Sequence, residues 1–194
     1  MAYDWKRPAV WTAMGAGSGV AATLTLFVPK WSGIYVEEHL TLGPINLDLS
    51  PLSIGPGLVF GLIAGLALMR RGMLGGWRYP AYIAASTASY SVAYHLSITI
   101  LDAGLSNILL IGIIAGTVGA AMLTASSAWI MPDFRHRRVF LATISAGAGL
   151  GALLAAPVAA ESHFIAWLAL YGPWQAGYAA AMTTAFQDRA EAPQ

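Results

Sequence analysis

The chain has no cysteine and very little charge: of 194 residues, nine are Asp or Glu and ten are Lys or Arg. Without cysteine there is no disulfide, thiolate metal site, iron–sulfur cluster or lipid-bearing thiol. A soluble domain averages about a quarter charged residues, whereas here the share is 10%. That scarcity excludes a disordered chain, a coiled coil and a nucleic-acid binder. No glycine-rich loop is followed by Lys, so no nucleotide site is expected. What fills the chain instead is apolar: 57% hydrophobic residues and a mean hydropathy of +0.63. An integral membrane protein with several spans fits these numbers.

Six segments supply the apolar length, about 20 residues, that a spanning helix needs. They run at about 8–28, 51–69, 79–100, 107–131, 139–160 and 164–186, and none contains Asp, Glu, Lys or Arg. The expected fold is an all-α polytopic bundle of six transmembrane helices, one domain over 1–194. Pro56 interrupts the second segment, so a re-entrant loop competes there with one irregular helix. The first segment follows Lys6 and Arg7 but is longer than a signal-peptide core, and it reads as a retained helix.

With six spans and the N-terminus in the cytoplasm, nine of the ten cations fall inside; only Lys30 lies outside. The expectation is that both termini are cytoplasmic and that the protein sits in a bacterial inner membrane. Trp5, Trp11, Trp31, Tyr35, Trp77, Tyr79 and Trp129 lie near span ends, where amphipathic rings favour the interface. The one long loop, 30–50, alternates Leu40, Leu42, Ile45, Leu47 and Leu49 with polar residues around Gly43-Pro44. That period of two fits a short hairpin; an interfacial coil is the alternative.

Lipid tails are as apolar as Leu, so helices associate through close backbone approach. Small residues at four-residue spacing form such glycine-zipper faces: Gly15 and Gly19; Gly57, Gly61 and Gly65; Gly112 and Gly116; Gly147 and Gly151. The pattern predicts tight crossings and says nothing about function.

The third segment is unusual. Tyr82, Ser86, Ser89, Tyr90 and Ser97 share one broad face, and Thr87, Ser91 and His95 an adjacent one. Such a helix belongs at the centre, either gluing the bundle or lining a site. His95 is the only His, Asp, Glu, Lys or Arg inside a span, which by default makes it a functional candidate. His163 and Glu161, at the outer turn before the sixth span, are its candidate metal partners, although their spacing matches no diagnostic ligand motif.

The sixth segment carries the stripe Trp167, Tyr171, Trp174 and Tyr178 beside Gly172-Pro173, with Gln175 as a buried amide whose natural partners are the hydroxyls of the third span. An aromatic stripe beside a kink can line a slot for a quinone, pigment, sterol or lipid tail. The candidate ligand-binding residues are therefore Ser86, Tyr90, Tyr94, His95, Tyr171, Trp174 and Gln175. Ser18, in a Gly-x-Gly-Ser-Gly run, lacks the strand and the base of a nucleophile elbow.

Three readings of function follow. The first is a non-enzymatic accessory or scaffold subunit that packs through small-residue faces, with membrane lipids and other membrane subunits as partners. The second is a permease or binder of an apolar or uncharged ligand between spans three and six. The third is a metal- or cofactor-dependent membrane enzyme using His95. The sequence names no cofactor.

Overall fold

The structure is a computed structural model, and it describes residues 8–31, 39–42, 45–48, 50–155 and 164–187. Six long helices dominate: α1 (Pro8–Trp31), α2 (Pro51–Arg70), α3 (Arg78–Asp102), α4 (Ile108–Ile130), α5 (Arg137–Gly151) and α6 (Phe164–Met182). A 3₁₀ turn at Ala152–Leu154 extends α5, and the short turn Thr184–Gln187 follows α6. Four of the six, namely α1, α2, α4 and α5 with its extension, are long and apolar enough to cross a membrane. The other two are α3, rich in hydroxyls, and α6, which carries Trp, Tyr and Gln. Tyr82, Ser86, Ser89 and Ser97 of α3 and Tyr171, Gln175 and Tyr178 of α6 are buried, while Thr87 and Ser91 border an outer groove.

Between α1 and α2 lie two short strands, β1 (His39–Leu42) and β2 (Ile45–Asp48), paired antiparallel. The register sets Leu40 opposite Leu47 and Leu42 opposite Ile45, so the period-two reading gives the hairpin and not the coil. This pair is the only addition to an otherwise helical fold among the described residues.

Each helix packs on its chain neighbours, and α1 closes on α6, so the six form a ring. The glycine faces make the tight crossings. An added Cβ on Gly15 or Gly19 would strike the α6 backbone between Tyr171 and Ala176. On Gly57 it would strike the Ser86 carbonyl at 2.7 Å, and on Gly61 the Ile83 Cα at 3.0 Å. Gly112 and Gly116 meet Gly151 and Gly147, backbone on backbone. In each pair, rising numbers on one helix meet falling numbers on the other, so the partners are antiparallel.

Pro56 sits inside an unbroken α2, which settles that segment as one continuous helix. Pro51 takes the first helical position after Ser50, and Asn107 caps α4 by accepting from the Leu110 amide at 3.1 Å.

The antiparallel order puts Arg70, Arg71, Arg78, Arg135, Arg137 and Arg138 at the end of the bundle opposite the hairpin. Trp77 and Trp129 meet there edge to face at 5.6 Å and are 59% and 71% exposed. Trp11 departs from the expectation: it is fully buried, 5.2 Å from the Phe186 ring. The turn after α6 folds back over it, so its ring serves the core and not the membrane surface.

Candidate functional site

The centre of the ring is filled differently in its two halves. Towards the arginine end it is solid. Phe60, Tyr82, Leu123, Tyr178 and Met182 are buried there. Tyr178 sits edge to face with Phe60 at 5.8 Å and hydrogen-bonds Thr124 at 2.9 Å, and Thr124 donates to Thr143 Oγ1 at 2.8 Å. Polar groups are satisfied within this plug, as burial demands.

Towards the hairpin end the centre is open. A cavity of about 270 Å³ lies among α3, α4, the end of α5 and α6. Its existence follows from residue size. The α4 wall is Gly112, Ala115, Gly116 and Gly119, and Gly151 continues it on α5, so these helices project almost no volume inward. The facing wall is the aromatic stripe of α6, Trp167, Tyr171 and Trp174. From α3 come Tyr90, Tyr94 and Ser97. Leu52, Ile98, Leu101 and Leu154 surround the end nearest the hairpin.

Tyr90 and Tyr171 join α3 to α6, hydroxyl to hydroxyl, at 2.5 Å. Around them the rings are ordered: Tyr90 stacks on Tyr94 at 6.5 Å, and Trp167 on Tyr171 at 5.5 Å. Ser97 donates to the Tyr94 carbonyl at 2.7 Å. Beneath Tyr90 and Trp174 a small void of about 10 Å³ touches Ser86 and Ser89. That is close to the least space that holds one water (roughly 10–15 Å³). Among the described residues no Asp, Glu, Lys or Arg lines either space.

The structure sorts the candidate residues into three groups. Tyr90, Tyr94, Tyr171 and Trp174 come together on the cavity wall. Ser86 stands just below it and is a packing group, donating to the Gly57 carbonyl across the α2–α3 crossing at 2.7 Å. Gln175 also does structural work, and its partners differ from those expected. It accepts from Ser18 of α1 at 2.5 Å and donates to the Pro56 carbonyl of α2 at 3.2 Å, not to the hydroxyls of α3. The reason is helical phase: Gln175 follows Trp174 by one residue, about 100° around the helix, so it faces α1 and α2 while Trp174 faces α3. The Gly15–Gly19 face draws α1 onto this stretch and brings Ser18 within reach.

His95 is half-buried and does not line the cavity. Its Nδ1 lies 2.7 Å from the Ser91 carbonyl one turn back, and Tyr94 meets its ring edge to face at 5.4 Å. His163 and Glu161 lie outside the described residues. Among the described residues no three His, Cys, Asp or Glu side chains gather as a metal site.

Ala93, Ala115, Leu170 and the glycines also line the cavity, and residue-by-residue reading did not single them out as site residues. Their signal was present in the small-residue faces: a glycine face spent on one neighbour also leaves space beside it. Set against protein-family models, curated proteins and solved structures, the chain finds no match.

Proposed function

We propose that this multi-pass membrane protein binds an uncharged, largely apolar ligand in the cavity at the hairpin end of its helix ring. The observation that supports this reading is the cavity itself: about 270 Å³, walled by glycine on one side and aromatic rings on the other, with no charged side chain among the described residues that line it. It is a half-open recess, and ligand sites are concave and mostly apolar with a few placed polar groups. Here those groups are the Tyr90–Tyr171 hydroxyls. In this account both termini are cytoplasmic, by the one-sided arginines, and the cavity lies in the outer leaflet of a bacterial inner membrane.

The test is extraction in mild detergent with chemical identification of small molecules that co-purify. The wild-type chain should retain one, and Ala115→Phe, which fills the cavity, should lose it while staying monodisperse and helical. Equal recovery from both proteins would refute the reading.

A second reading, an accessory or scaffold subunit contacting other membrane subunits, has one supporting observation. A shallow groove between α1 and α6 is lined by Ala16, Val20, Ala169, Gly172, Pro173 and Ala176. The four glycine faces themselves are spent on packing within the chain. Co-purification of a stoichiometric protein, lost on Ala169→Trp, would favour that role.

A further inference from the structure

This inference rests on the apolar-ligand reading above and names the ligand's chemical class. Two phenols at hydrogen-bond distance use one proton between them: one donates, the other accepts and keeps its own proton. Among the described residues neither Tyr90 nor Tyr171 makes another hydrogen bond. Ser97 has already given its proton to the Tyr94 carbonyl. Trp167 and Trp174 bring indole N–H groups, which donate only, and neither is hydrogen-bonded among the described residues. The wall therefore holds donors left over after internal pairing, and a ligand that supplies an acceptor oxygen satisfies them.

Three further facts narrow the shape. A charged ligand would meet no counter-charge among the described residues of the lining. On the α6 wall the Trp167 and Tyr171 rings lie 16° from parallel. The volume, about 270 Å³, compares with roughly 150 Å³ for an apolar cavity that holds one benzene, so two fused rings match it.

We infer that the cavity takes a flat, uncharged ring carrying a carbonyl acceptor, the quinone type of chemistry, with the carbonyl on the Tyr90–Tyr171 hydroxyl pair. An apolar tail on such a ring leaves past Leu52, Ile98, Leu101 and Leu154 towards the hairpin end.

The experiment compares two probes of one shape, 1,4-naphthoquinone and naphthalene, titrated against the full chain in lipid nanodiscs. Thermal stabilisation is read at matched membrane concentrations of probe. The wild-type chain should prefer the quinone by roughly threefold to tenfold, the scale of one net hydrogen bond. In the double variant Tyr90→Phe with Tyr171→Phe that ratio should fall to about one. Tyr79→Phe removes a phenol outside the cavity and should keep the ratio. If naphthalene stabilises the wild type as well as the quinone does, the carbonyl assignment falls and the apolar cavity stands. If neither probe stabilises the wild type, both fall. A preference that survives the double variant overturns the hydroxyl pair as the anchor. Should the double variant not fold, the wild-type ratio and Tyr171→Phe alone decide.

Discussion

Two single-methyl changes on the α4–α5 pair should move stability in opposite directions. Gly116 lies where α4 crosses α5, and an added Cβ there meets the Gly147 carbonyl and, at 2.9 Å, the Gly151 Cα. Both obstacles are backbone, so the helices themselves must separate. Overpacking of this kind costs about 1–3 kcal/mol, offset by the roughly 0.5–1 kcal/mol that Ala gains over Gly inside a helix. Gly116→Ala should therefore lose about 1–2 kcal/mol, or roughly 2–8 °C in midpoint for a chain of this length. Gly149, two residues from the crossing glycines on α5, has nothing within 4 Å of an added Cβ. Gly149→Ala collects only the propensity gain and should rise by about 1–4 °C. Thermal loss of helical signal in one detergent reads both. Shifts of the same sign, or an unmoved Gly116→Ala, would show that α4 and α5 do not cross backbone to backbone.

Other changes test other parts of the account. Gln175→Leu removes the two hydrogen bonds that tie α6 to α1 and α2; at about 0.6 kcal/mol for an average polar contact between membrane helices, a loss near 1 kcal/mol is expected in equilibrium unfolding. A reporter fused after Gln194 should be active only if it is a cytoplasmic type; activity of a periplasmic type would reverse the orientation. Trp129→Ala, at an exposed ring, should leave thermal stability almost unchanged, whereas Trp11→Ala, from the core, should cost about 3–5 kcal/mol; similar small effects would contradict the burial of Trp11.

Four of the helices, α1, α2, α4 and α5 with its extension, were legible because crossing a membrane demands a length and an apolar composition that read directly from sequence. The glycine faces were legible as faces, but not their partners, since spacing on one helix says nothing about which helix comes against it. That is why Gln175 was matched to α3 when Ser18 and Pro56 hold it. Trp11 was misplaced for a related reason: proximity to a span end sets depth, while rotation about the helix axis decides whether a ring faces lipid or core. The aromatic stripe and the hydroxyl face pointed to a slot between the third and sixth spans. Its position in the hairpin half depends on where α4 and α5 lack side-chain volume, a property of four helices together that no single segment carries.

The most direct measurement of the central claim is an experimental structure of the chain soaked with 1-bromonaphthalene, with the bromine located by its anomalous signal. The account predicts a peak inside the ring, among Gly116, Tyr171 and Trp174. A signal confined to the outer grooves, or none within the ring at saturating probe, would contradict it.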